Sequence, residues 1–517
     1  MHLQQLGHPP RGGLANVAAH RRVLSTRGAG RFAPTEPTPQ PPPPQVQQQS
    51  QQQSQQPPPV ILDDWRTQAF MSWARGPASI RFAGVRPSTF AGVRGLAASS
   101  DIAPEALVVE VPRRSAVVLA PKQRNPCPDM VTDDWWKSAP WFAKMAAMLL
   151  WHKSRGSQSP LALWLAQLPA DTGVPVRWNE RQIAALQYPH LITQVKEQQR
   201  EWQQLYDDLV NKGTPPGAQP PPREDFIWAM SCVRSRTFSG PYVGSTLQDR
   251  LRTAGLVAVL ALGNTVLGLA DPQKTLSAAI AVLLFNVLYE VILSRSLRQY
   301  AICPLIDFFN HSSAVQSEVS YNYFGDSYSV VASREFKKGE QVFISYGPQS
   351  NDSLMQYYGF AEANNPHDVY VMTDMLRWVT AVRTVGQSRL DALRASALAV
   401  SLQQVVIQRA GFPAEALQAI RFLMASDKEA AAGISSFSKP VSPDQEAQLA
   451  LVLADVVRRE LEQLGSSLQE DMALLNGGGG SGGGGRKGGL LAAEAAAVAF
   501  RLEKKRVLTA VLQGMGA

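Results

Sequence analysis

Cysteine is scarce: the 517 residues hold three, Cys127, Cys232 and Cys303, scattered and never in a CxxC pair. That spacing excludes a disulfide framework and a structural zinc site, so no metal is expected and a reducing compartment fits best. Acidic residues are nearly missing from the first 60 positions, where five arginines face one acid, Glu36, and about half of the net charge of +8 resides there. No basic cluster interleaved with aromatics follows, which argues against a nucleic-acid partner. A Gly-rich strand-to-helix turn followed by an acidic residue is also lacking, and with it the signature of a Rossmann-type nucleotide site.

What is present divides by composition. The length calls for two or three folding units. Residues 1–60 pass from an Arg/Ala-rich stretch into "PTPQPPPPQVQQQSQQQSQQPPPV", which has no means of forming a core. This reads as a cleavable organelle-targeting peptide and spacer, or as a disordered tail of no address. From about 80 to 120 the text is strand-like, with the glycine turn "FAGVRG" and the apolar run "ALVVEVP". Helical spacing then takes over from about 133 to 230, with Ile192, Val195, Trp202, Leu205 and Leu209 on one face. Strand-like text resumes in "AICPLIDFF", "YSVVASREF" and "EQVFISYG", and after about 374 the chain is Ala/Leu-rich and helical to its end, apart from the Gly-rich loop 477–485.

Two apolar runs, 254–270 and 276–293, interrupt the β material and are joined by "DPQK". Each lies near the lower limit for crossing a hydrocarbon layer of about 30 Å. Flanking Arg250, Arg252, Arg295 and Arg298 suit a membrane hairpin, whereas Asn264, Asn286 and Glu290 oppose it. Gly263 and Gly268 form no GxxxG motif. Membrane anchoring through 254–293 and a buried or partner-binding helical hairpin both remain open at this level.

Three stretches carry chemistry: "SCVRSRTFSG", "PLIDFFNHSS" and "GEQVFISYGPQSNDSLMQYYGF". Each has a bland reading alone, Asn310-His311 as a satisfied core pair and Tyr346 as the end of a strand. Together they resemble the SET-domain protein lysine methyltransferases of the plant Rubisco large-subunit methyltransferase-like branch. "GVRGLAASSDI" is similar to the opening SET segment, "LWLAQLPADTGVPVRWNERQIAALQ" to the helical insertion, and "FRLEKKRVLTAVL" to the last helix of the substrate-binding domain. The resemblance implies an α+β chain: a split SET β-fold with a pseudoknot over 75–362, a helical insertion at about 133–230, and an all-α C-terminal substrate-binding domain over 370–517.

It further implies S-adenosyl-L-methionine as cofactor, held by Gly92, Val93, Arg94, Arg236, Asn310 and His311. Tyr346 is the implied catalytic tyrosine, and Asp307, Tyr321, Tyr346 and Tyr358 would face the substrate; Tyr323 competes with Tyr321, and Asp307 has an equal reading as a structural acceptor. The expected partner is a protein presenting a lysine, non-histone and of the chloroplast. A catalytically inactive SET-like scaffold, or a membrane-tethered interaction module, is the alternative. One departure bears on substrate identity: a basic position of the family, four residues after Arg236, is Gly240 here.

Overall fold

A computed structural model describes residues 58–240, 247–288, 299–322, 325–373, 375–477 and 492–516. Residues 1–57, expected as a targeting peptide and spacer, most of the Gly-rich loop, Tyr323 and the end of the second apolar run from residue 289 lie outside the described residues.

The N-terminal β material begins with β1 (Val60–Ile61), β2 (Arg81–Phe82), β3 (Val85–Phe90), β4 (Val93–Ala98), β5 (Leu107–Pro112) and β6 (Val117–Leu119). Strands β3 and β4 pair antiparallel from Val85↔Ala98 to Phe90↔Val93. Their two-residue turn puts Ala91 at φ 48° and Gly92 at φ 86°, the left-handed pair that matches the twist of a tight hairpin. The rest of the β material comes more than a hundred residues later: β7 (Phe238–Gly240), β8 (Gln299–Ile302), β9 (Asn310–His311), β10 (Val319–Asn322), β11 (Ser327–Val331) and β12 (Gln341–Ile344). Three sheets mix the two groups, in the orders β1-β3-β4-β12-β9, β10-β11-β5-β2 and β6-β8-β7. Leu96, Val109, Val111, Phe308, Val342 and Ile344 fill a common core between them.

The helices between β6 and β7 include α1 (Trp141–Ser154), α2 (Pro189–Asp208) and α3 (Arg223–Arg236). Met145 to Leu150 of α1 are all buried, and α3 turns Phe226, Ala229, Met230 and Val233 into the same core. Helix α3 ends on Arg236 and the chain extends at once into β7, so Arg236 stands at a helix-to-strand corner.

The apolar runs form α4 (Leu247–Val266) and α5 (Pro272–Leu288). No helix among the described residues is long and apolar enough to cross a membrane, so membrane anchoring through 254–293 gains no support, with residues 289–293 outside the described residues. In α4 the first turns carry Gln248, Asp249, Arg250 and Arg252, which shortens its apolar part.

The C-terminal region is helical but not wholly so. β13 (Val369–Met372) pairs antiparallel with β14 (Val405–Gln408), because the β-branched "VVIQ" alternates buried and exposed side chains within otherwise helical text. Around this pair pack α6 (Asn351–Tyr358), α7 (Pro443–Gln463) and α8 (Ala492–Gly514), sharing a second core with Tyr370, Val456 and Phe500.

Candidate active site

An apolar run from Ala301 to Phe309 reads as one strand but is not. Pro304 removes a donor, and Leu305 takes φ 70°, ψ −38°, a conformation that costs free energy for a branched side chain. The strand β8 ends at Ile302, a 3₁₀ turn over Ile306–Phe308 follows, and beyond it Asn310 and His311 pair as a second short strand. They run parallel to β12, Asn310 opposite Phe343 and His311 opposite Ile344. Ser312 donates its N–H to Ile344 O at 3.1 Å and Ser345 donates to Ser317 O at 2.7 Å, locking the two segments.

Asn310 Nδ2 donates to Arg94 O at 2.9 Å, tying β9 to the first hairpin. That approach requires Gly95: a Cβ there would lie 2.9 Å from Asn310 Nδ2 and 2.6 Å from Gln341 Nε2. Gly92 serves the turn instead, with open space around it, and Val93 beside it is exposed. The essential glycine of this stretch is thus three residues beyond the expected one, visible only when the partner strand is in place.

His311 Nδ1 accepts the Tyr346 backbone N–H at 3.0 Å, which leaves the ring proton on Nε2. Nε2 lies 3.5 Å from Glu362 Oε2, and neither atom has a hydrogen-bond partner. Burial pushes the Glu362 carboxyl up, but His311 and the Ser313 N–H outweigh it and hold it below its usual range. The Tyr346 ring stacks on His311 at 5.1 Å and meets Tyr358 at 4.8 Å, and its hydroxyl donates to Phe309 O at 2.7 Å. Burial, with Tyr358 beside it, pushes that hydroxyl far above its ordinary value. It therefore stays protonated and serves as no base at physiological pH.

A cleft of about 320 Å³ opens at this point, lined by Arg236, Phe238, Asp307, Phe309, Tyr346 and Tyr358. The Asp307 side chain is fully buried; its Oδ2 accepts from Trp164 Nε1 at 3.3 Å and lies 3.9 Å from Arg236 Nε, while Oδ1 has no hydrogen-bond partner. Burial raises its pKa against the pull of Arg94 and Arg236. The Arg94 guanidinium lies 3.8 Å from the Phe308 ring centroid and bonds Gln167 O; burial pushes it down to about 10 despite Asp307. Arg236 donates to Ser235 Oγ at 2.7 Å, and its Nε has no hydrogen-bond partner.

The structure thus brings Arg236, Asp307, Tyr346 and Tyr358 to one cleft, with Arg94, Asn310 and His311 directly behind it. Tyr321 stands apart: its ring packs on Tyr328 at 5.1 Å and its hydroxyl donates to Asp326 at 2.5 Å. Three further groups carry no local sequence signal. Glu318 lines the cleft, Trp164 reaches Asp307 from 143 residues away, and Glu362 meets His311 across the domain seam. Phe360, within the conspicuous "YYGF", has its ring 6.4 Å from that of His311.

Residues 93–347 match the family model for the SET domain, and residues 385–508 match that for Rubisco LSMT substrate-binding. The chain is 23% identical over 433 residues to the [fructose-bisphosphate aldolase]-lysine N-methyltransferase, chloroplastic, of Arabidopsis thaliana, covering 79% of this chain and 76% of that protein. Human actin-histidine N-methyltransferase is 24% identical over 74% of this chain but only 58% of its own length. Human SET domain-containing protein 4 is 40% identical over 77 residues, 15% of this chain and 18% of that protein. Rubisco LSMT bound to AdoMet has the same fold at TM-score 0.57 and 20% identity, covering 88% of this chain and 92% of its own. The chain is therefore a SET-domain protein of the Rubisco large-subunit methyltransferase-like family, its SET domain followed by a Rubisco LSMT substrate-binding domain.

Proposed function

We propose that the protein is an S-adenosylmethionine-dependent protein-lysine N-methyltransferase acting on a non-histone chloroplast protein. The observation that carries this reading is the joining of Tyr346, Asn310 and His311 through the parallel β9–β12 pair, beside a cleft with Arg236 and Asp307. Arg236 Nε and Asp307 Oδ1 are buried polar atoms of the cleft without a hydrogen-bond partner, a pair suited to a ligand bearing both a carboxylate and an ammonium group. S-adenosylmethionine has that zwitterionic end, and when bound supplies a methyl group activated by its sulfonium.

The remaining work falls to side chains of this chain. An acceptor lysine, with an ordinary pKa near 10.4, must reach the cleft as the neutral amine, and aromatic walls that exclude water favour that form. Tyr346 and Tyr358 provide such walls. Because the Tyr346 hydroxyl already donates to Phe309 O, its oxygen is left to accept, which suits orienting an amine N–H or a polarised methyl C–H. Two kinds of relative bear on the acceptor, since their names specify lysine and histidine respectively. The lysine reading is supported by a solved relative of the same fold described as bound to lysine and AdoHcy.

Radiolabelled methyl transfer to chloroplast stromal extract, with the modified residue read by mass spectrometry, tests the proposal. Label on a lysine, lost in Tyr346→Phe, is expected. Calorimetry with S-adenosylmethionine that gives no heat would reject the enzyme in favour of a scaffold, and label on histidine would reject the acceptor.

A further inference from the structure

Glu362 stands where the chain leaves the SET domain and does not itself line the cleft. Its backbone is clamped from both sides by Asn351: the Glu362 N–H donates to Asn351 Oδ1 at 2.9 Å, and Asn351 Nδ2 donates to Glu362 O at 3.1 Å. Asn351 is held in turn by Asp368, which accepts from its N–H at 3.0 Å and its Nδ2 at 2.9 Å, and which also accepts from Lys504 Nζ of α8. The Glu362 carboxylate therefore has a fixed aim. Oε1 accepts the Ser313 N–H at 2.8 Å, and Oε2 faces His311 Nε2 at 3.5 Å. Both atoms of that second pair are sealed from solvent and have no hydrogen-bond partner.

The Ser313 N–H and the His311 Nε2–H are both donors, and a carboxylate, which only accepts, offers one oxygen to each. With the proton held on Nε2, Nδ1 is bare and takes the Tyr346 N–H at 3.0 Å, while the same imidazole stacks on the Tyr346 ring. A proton on Nδ1 would instead oppose the Tyr346 N–H, donor against donor, beneath a residue that lines the cleft. Small displacements of a group that orients reacting atoms cost rate more than binding. We propose that Glu362 is a positioning residue for methyl transfer, fixing the His311 tautomer so that His311 seats Tyr346 beside the acceptor amine. This role rests on the transfer reaction proposed above.

Glu362→Gln is the discriminating variant, because it keeps size and shape but has one acceptor oxygen for two donors. That oxygen should stay with the Ser313 N–H, the shorter contact, which turns the amide NH2 onto His311 Nε2 and drives the proton to Nδ1. Long-range proton–nitrogen spectra of the full chain with isotope-labelled histidine read that proton directly, the His311 signals being identified by their loss in His311→Gln. The expected result is a proton on Nε2 in the native chain and on Nδ1, or exchanging between the two, in Glu362→Gln. Label transfer to chloroplast stromal extract should slow about fivefold in the variant while S-adenosylmethionine affinity, by calorimetry, holds within about twofold. A proton that stays on Nε2 in the variant overturns the proposal, as does an unchanged rate. An equal loss of S-adenosylmethionine affinity also overturns it, since Glu362 would then serve the cofactor pocket. A native chain that transfers no label overturns the methyltransferase reading itself, and the spectra, which need no turnover, tell the two failures apart.

Discussion

The buried charges at the domain seam and those at the cleft are finished differently. At the seam between the SET domain and the C-terminal helices, Lys504 of α8 is fully buried and donates to Asp352, to Asp368 at 2.7 Å and to Val369 O at 2.8 Å. Asp368 also accepts from Asn351 N and Nδ2, and the neighbouring Asp471 is bound by Arg501 and Lys505. Burial pulls the Lys504 ammonium down, but Asp352 and Asp368 outweigh it and hold its pKa above the ordinary value. Only Asp352 Oδ1 is left over in this group. At the cleft, by contrast, Arg236 Nε and Asp307 Oδ1 lack hydrogen-bond partners. A charge network that satisfies itself is structural, whereas one left incomplete in a cleft is prepared for something that arrives.

The sharpest way to break that contrast is Lys504→Ala, which strands two carboxylates and is expected to cost about 3–5 kcal/mol in urea unfolding. A loss under about 1 kcal/mol would mean that water reaches the seam and that its completeness has no structural consequence. Next in size is Tyr346→Phe, which removes the orienting hydroxyl: kcat should fall about 100-fold while S-adenosylmethionine affinity and thermal midpoint hold. A matching fall in stability would make Tyr346 part of the scaffold rather than of the proposed transfer.

Asp307→Asn tests whether an unfinished carboxylate weakens the fold. In the folded chain the Asp307 proton is held more tightly than in the unfolded chain, so stability is lost as pH rises from about 3.8 through the raised value. The amide variant should therefore be as stable as the native protein at pH 7, or more so, while cofactor affinity falls about tenfold, or 1.4 kcal/mol. Destabilisation at pH 7 would place Asp307 with the seam charges. The smallest effect is expected at Glu362, whose lowered pKa contributes stability at neutral pH that disappears as pH falls below about 4.5. Glu362→Gln should flatten that acid limb by no more than about 1 kcal/mol.

Legibility in the sequence follows the range of the interaction. The Ala91-Gly92 turn was readable because a two-residue hairpin depends on its own φ angles, and the helical stretch ending near Leu209 because its apolar spacing is local. The apolar run into Asn310 misled for the same reason: its near-unbroken apolarity said strand, yet the left-handed Leu305 is held in place by core packing that no local pattern reports. Gly95, Trp164 and Glu362 were unreadable because each matters only through a partner far along the chain. Tyr321 and Tyr346 were both expected to face the substrate, but pairing with Tyr328 and Asp326 draws one away while the β9–β12 contact seats the other.

Side-chain periodicity and motif chemistry, both written within a few residues, were enough to set the kinds of element, the order of the domains and the residue types available for chemistry. What needed the folded chain was which of those residues meet. Parallel pairing of two short strands, one glycine without a Cβ and a lysine drawn between two aspartates are relations across tens to hundreds of residues, and their free energy exists only when the intervening chain has closed.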